Sequence, residues 1–133
     1  MFDYKQLLVV AVGGALGSMA RYKLGGVVLH QTQAWNFPVS TFCVNVLGCL
    51  VIGILAAVVE HHDLFSTGTR LFLFTGLLGG FTTFSAFGYE TLFLLRRGLI
   101  QISVLYAGLS VFCGLAAVFI GFKAIDLFWP PRH

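Results

Sequence analysis

Charge is what this sequence has least of. Only 10% of its 133 residues are Asp, Glu, Lys or Arg, while 58% are hydrophobic. Soluble domains carry about 25% charged residues. A water-soluble chain of this size buries only about two-thirds of its extended surface, so this composition lacks the polar groups to cover the remainder. A soluble globular domain is excluded, and lipid is the solvent. The eight Lys and Arg leave a net charge of only +3. They are scattered, so no basic patch supports nucleic-acid binding. Cysteine is scarce and odd in number: Cys43, Cys49 and Cys113 all fall in apolar runs. That reads as free, buried thiols rather than a disulfide framework. Low-complexity tracts and internal repeats are absent. The apolar start carries Asp3 beside Lys5 and no small-residue cleavage pattern, so it does not read as a cleavable signal peptide.

Catalytic groupings are missing too. The one cluster that looks like metal ligands is Glu60-His61-His62-Asp63. Adjacent histidines in a connection do not share a face, and no partner cluster accompanies them. No residue set has the logic of a nucleophile with its base, so the chain does not read as an enzyme.

What the sequence has is long apolar runs. Four stand out, over about 7–29, 39–59, 71–95 and 99–122. Each approaches or exceeds the roughly 20 residues that a helix needs to cross a bilayer. The expected fold is therefore all-α: a single four-helix transmembrane domain over residues 1–133. The first run is interrupted by Arg21 and Lys23. Residues 7–20 alone are too short to span, so the helix continues through Arg21, while Lys23 snorkels to the interface. The connections are short and polar. Trp35 suits the headgroup level, and Pro38 suits the first turn of the second helix. Arg96-Arg97-Gly98 is so short that the third and fourth helices must be antiparallel neighbours.

Four spans put both termini on one side, with Lys5, Arg70, Lys123 and Arg132. The other side carries Arg21, Lys23, Arg96 and Arg97. Four against four gives no orientation under the positive-inside rule. Either such small counts carry no information, or the chain inserts both ways and the two orientations pair. One four-helix subunit also has little room for a wide lumen, so a pore is more easily built between subunits. Small-xxx-small pairs, Gly13/Gly17, Gly76/Gly80 and Ser110/Gly114, favour close helix contact.

The third run is the most informative. Gly79-Gly80 weakens a helix by about 1 kcal/mol per Gly. Thr82, Thr83 and Ser85 follow, and their hydroxyls compete for backbone groups. Together they predict a break over about 79–83, near the midplane. Non-helical backbone at that depth is tolerated only inside protein or beside a cavity. Its freed carbonyls can meet a cation, its N–H groups an anion. Phe81, Phe84 and Phe87 recur every three residues. Phe81 reads as filling; Phe84 and Phe87, among polar neighbours, read as facing a path with Ser85. Electropositive ring edges can line an anion route without holding the ion too tightly. Asn45, with Thr41 one turn before it, and Tyr106 with Ser110 on one helix face, form a candidate track of neutral donors. Arg21 adds positive charge nearby. Glu90 reads as an interfacial group or a polar end to the path.

Three stretches resemble the signatures of the Fluc fluoride channels. They are Gly13-Gly-Ala-Leu-Gly-Ser-Met-Ala-Arg21-Tyr22, Thr41-Phe-Cys-Val-Asn45-Val-Leu-Gly48 and Gly79-Gly-Phe-Thr-Thr-Phe-Ser-Ala-Phe87. The likeness extends over the whole chain in length, segment number and motif order. It implies an antiparallel, dual-topology homodimer in the cell's inner (plasma) membrane with two pores. These would pass fluoride passively and selectively and protect the cell from it. The family's pore phenylalanines correspond to Phe84 and Phe87, its pore asparagine to Asn45, and its hydroxyl track to Tyr106 and Ser110. Arg21 becomes a vestibule residue. A structural sodium ion (Na+) at the dimer axis is implied on the backbone carbonyls of Gly79 and Thr82. Gly114 stands where some members carry a further track hydroxyl, and Ala86 where many carry Thr. The nearest alternative is a small multidrug-type, proton-coupled transporter. It requires a membrane-embedded carboxylate, and the first segment has none beyond Asp3.

Overall fold

The computed structural model describes residues 3–131. Arg132, counted in the charge tally, lies outside them. Among the described residues, four helices are long and apolar enough to cross a membrane: Tyr4–Thr32, Val39–His62, Thr67–Arg96 and Ile100–Phe128. We number the elements α1 (Tyr4–Thr32), α2 (Val39–His62), α3 (Thr67–Arg70), α4 (Gly79–Phe81), α5 (Phe84–Arg96) and α6 (Ile100–Phe128), with a wider π-helical stretch, Leu71–Leu78, between α3 and α4. Each span overruns the apolar run that marks it, and at three of the ends a polar residue makes the cap. Asp3 accepts a hydrogen bond from the Lys5 N–H at 3.0 Å. Ser66 Oγ accepts from the Thr69 N–H at 3.2 Å. Asp63 ends α2 in the left-handed region (φ 44°), which Asp tolerates better than most residues, and its carboxylate pairs with Arg70.

The turn between α5 and α6 is set by Gly98, at φ 75°. The Gly98 N–H reaches Leu95 O and the Leu99 N–H reaches Leu94 O, both at 3.0 Å. These are the two bonds of a Schellman stop. It reverses the chain at once, so α6 runs back beside α5. There Ser103 Oγ donates to Thr91 O at 3.1 Å.

Packing divides into two seams, α1 against the first half of the third span and α2 against α6. Both depend on missing side chains. A Cβ on Gly13 would lie 2.7 Å from Phe72 O and 3.0 Å from Gly76 Cα. One on Gly17 would lie 2.8 Å from Phe81 N. Lipid gives helices no hydrophobic reason to associate, so close backbone approach supplies the attraction instead. At the far end, His61 Nε2 sits 3.3 Å from Asp126 Oδ1, Lys123 Nζ donates to Asp126 at 2.7 Å, and His62 stacks on Trp129 at 4.1 Å. The cysteines are free thiols, but half-buried rather than buried. Cys49 Sγ occupies space left open at Gly114.

The third span is irregular in two places. Residues Leu71–Leu78 are π-helical. Thr82 (φ −84°, ψ 160°) and Thr83 (φ −151°, ψ 121°) are extended between α4 and α5. Gly79 and Gly80 themselves stay helical. A Cβ on Gly80 would lie 3.0 Å from Gly14 Cα, so that glycine serves close approach rather than flexibility.

A β-branched side chain in the α1 seam should therefore push the third span away. Gly17→Val is expected to destabilise the protein by about 1–3 kcal/mol, the usual range for overpacking. Unfolding in detergent, followed by circular dichroism, measures this. An unchanged midpoint would contradict the seam.

Candidate functional site

One stripe of α2 holds the interruption. Thr41, Asn45 and Gly48 lie at i, i+4 and i+7, on one helix face. Asn45 Nδ2 donates to Thr83 O, and Asn45 Oδ1 accepts from the Thr83 N–H, both at 2.8 Å. The side-chain amide thus replaces both partners that a continuous helix would give Thr83. One turn on, Gly48 leaves room for the Thr82 side chain and Phe81 ring. Thr83 Oγ1 then accepts from the Ala86 N–H at 3.2 Å and caps α5.

This arrangement frees carbonyls. In an unbroken helix the Thr83 N–H would return to Gly79 O, and the Ala86 N–H to Thr82 O. Here both donors are diverted, and neither carbonyl receives a hydrogen bond from any described residue. Gly80 O, by contrast, accepts from Ser18 Oγ at 3.4 Å.

Two cavities adjoin the interruption. The first, about 460 Å³, is lined by Asn45, Cys49, Thr82, Phe84, Phe87 and Ser110 among others. Gly79 is also on its wall. Ser110 Oγ is buried there with no hydrogen-bond partner among the described residues. The second, about 500 Å³, is lined by Ser18, Arg21, Ser40, Thr41 and Thr83 among others. Thr83 borders both.

The residues singled out from the sequence fall into three groups. Asn45, Ser110, Phe84, Phe87, Gly79 and Thr82 meet at the first cavity. Arg21 and Thr41 meet at the second. Tyr106 borders neither; it is fully buried and donates to Glu90 Oε2 at 2.7 Å. Ser85 is exposed and lies 3.3 Å from Thr83 Oγ1, outside both cavities. Phe84 is 83% exposed. Its ring lies 5.5 Å from that of Phe87, which lies 5.2 Å from that of Tyr106.

Glu90 is the residue whose weight the sequence reading missed. It is not at the end of a span. Thr41 Oγ1 donates to its Oε1 at 2.6 Å while Tyr106 donates to its Oε2. Hydroxyl donors on both oxygens are what a carboxylate away from water requires. The available signal was spacing: Glu90 lies three residues after Phe87, on the same face of α5.

Fold and site together define a multi-pass helical membrane protein of four spans, whose third span opens around polar side chains and two phenyl rings. The sequence profile of the family described as "CrcB-like protein, Camphor Resistance (CrcB)" matches residues 8–122. The chain belongs to that family. It is 50% identical over 122 residues to the fluoride-specific ion channel FluC of Methylobacillus flagellatus, covering 92% of this chain and 95% of that one. It is 47% identical over 119 residues to the protein of the same name from Thermus thermophilus, covering 90% and 94%. A third, from Flavobacterium psychrophilum, is 44% identical over 117 residues, covering 88% and 94%.

Proposed function

We propose that the chain is a passive, fluoride-selective ion channel that lets fluoride leave the cytoplasm through the plasma membrane, and that it is not an enzyme. The observation that carries this reading is the Ser110 hydroxyl, buried with no hydrogen-bond partner among the described residues, on a cavity wall shared with Asn45, Phe84 and Phe87. A small anion that gives up its water needs replacement donors. Hydroxyls and phenyl edges supply them without a full opposite charge, so the ion can also leave. The name of the relatives supplies the identity of the ion. An inside-negative potential drives an anion outward by about 2.3 kcal/mol per 100 mV, so the channel needs no coupled energy source.

In this reading the route runs past Asn45, Ser110, Phe84 and Phe87. Thr41 and Tyr106 line the route indirectly, their hydroxyls holding Glu90 beside it, Ser85 contributes a hydroxyl, and Arg21 contributes positive potential in the second cavity. The working unit is an antiparallel pair of identical chains with two pores, and the break at Thr82–Thr83 lies near the membrane midplane. Two observations support the pair. Irregular backbone cannot face lipid, yet the extended Thr82 and Thr83 are only half-buried in a single chain and Phe84 and Ser85 beside them are exposed, and a second copy would cover them. The balanced charge tally also leaves the chain free to insert both ways. A sodium ion fits the carbonyls of Gly79 and Thr82, because both have lost their helical donors and are hard oxygen ligands. When bound it would supply a positive charge between the two pores.

One observation favours a second reading. Glu90, held between two hydroxyls inside the bundle, is a carboxylate of the kind that proton-coupled, multidrug-type export requires.

Flux from liposomes separates the two. Purified protein in vesicles loaded with fluoride and chloride should release fluoride alone, with no pH gradient. Release of both ions, or release only when a pH gradient is imposed, contradicts the channel reading. In the same vesicles Phe84→Ile and Phe87→Ile should each slow fluoride release roughly tenfold, the worth of one good aromatic-edge contact. Rates equal to the unsubstituted chain would return both rings to filling. The cation has its own test. Exchanging sodium for N-methylglucamine should lower the thermal midpoint of the two-chain particle, since a ion bound only to the folded state stabilises it. A midpoint indifferent to sodium argues against the site.

A further inference from the structure

Two aromatic rings pack on Tyr106, and only one of them belongs to the route described above. One is Phe87. The other is Phe37, from the connection between α1 and α2. Its ring stands edge-on to Tyr106 at 5.2 Å and 83°, and edge-on to Phe42 at 5.5 Å and 75°.

The backbone fixes where Phe37 goes. Pro38, at φ −75° and ψ 68°, makes an inverse γ-turn, closed by the Val39 N–H on Phe37 O at 2.8 Å. Proline cannot leave that φ. The Phe42 N–H binds Pro38 O at 3.1 Å, which joins the turn to the first turn of α2. Phe37 is thus delivered by a stiff turn rather than by a loose loop.

Tyr106 in turn is fully buried, and its hydroxyl must reach Glu90 Oε2. That bond needs the ring at one angle. Phe87 sits at a tilt of 55° to it and belongs to the span that carries the interruption. Phe37 is an aromatic contact that does not depend on that span. We infer that Phe37 is a positioning residue for conduction: it holds the Tyr106 ring so that the hydroxyl stays on Glu90, and touches no ion itself. This rests on the channel reading above. It assigns a function to the Phe37-Pro38 turn, which otherwise reads as a mere connection.

The test is a double-substitution cycle on fluoride efflux from liposomes, with each protein first shown to elute as the same particle as the unsubstituted chain. Phe37→Ala should slow efflux about three- to tenfold, the equivalent of one or two aromatic pairs. Tyr106→Phe keeps the ring, loses the hydroxyl and should also slow efflux. Combined with Tyr106→Phe, Phe37→Ala should cost almost nothing more, because nothing is left to position. Independent sites would multiply their losses instead. Multiplied losses overturn the inference, as does a Tyr106→Phe protein as fast as the unsubstituted chain. If Phe37→Ala does not fold, Phe37→Leu and Phe37→Tyr give the same contrast. Leu fills the space without a ring and should be slow; Tyr keeps the ring and should be fast. Equal rates for the two overturn the inference. An unsubstituted chain that passes no fluoride overturns the channel reading and this inference with it. A conducting chain with multiplied losses overturns the inference alone.

Discussion

The two hydrogen bonds between Asn45 and Thr83 are the constraint on which the rest of the structure depends. A helix inside a bilayer satisfies its backbone from within, and an interruption leaves groups that cost several kcal/mol each if nothing meets them. Asn is suited to the task, because its side chain carries one carbonyl and one amide, as a peptide unit does. By standing in for the missing helical neighbours of Thr83, it allows Thr82 and Thr83 to stay extended. It also releases the Gly79 carbonyl, whose donor it has taken. The cavity walls, the α5 cap at Thr83 and the unpartnered oxygens all follow from that exchange.

The remaining packing keeps Asn45 where it is needed. The α1 seam presses the first half of the third span into place through Gly13, Gly17, Gly76 and Gly80, and the α2–α6 seam fixes the opposite wall. Between them, Thr41, Asn45 and Gly48 address three successive features of the third span: the Glu90 carboxylate, the Thr83 backbone and the Thr82 side chain. Polar groups that would be costly singly are here matched one to one, which makes the network rigid.

Much of this was legible in the sequence. The four spans followed from apolar runs that no soluble fold could hide. Their ends did not, because Tyr4, His62, Thr67 and Phe128 lie beyond the hydrophobic windows and are helical through capping and end contacts. The Gly and Thr content pointed to the third span, but the weight fell on the wrong residues. Gly79 and Gly80 looked like breakers and are helical, while the extended residues are the two threonines that follow. A glycine kept small for a neighbouring helix cannot be told from a flexible one in a single sequence. Glu90 was underrated for a related reason. Its depth depends on Thr41 and Tyr106, which lie 49 and 16 residues away, and no local pattern announces such a meeting. The contact of Phe37 with Tyr106 is non-local in the same way.

Under the proposed function, conduction depends on the interruption, and the interruption depends on Asn45. The most direct measurement is fluoride and chloride efflux from the same vesicles, comparing the unsubstituted chain with Asn45→Ala at matched, folded protein. Fast fluoride release without chloride is expected from the first and loss of fluoride release in the second. Fluoride release from Asn45→Ala at the unsubstituted rate would contradict this dependence.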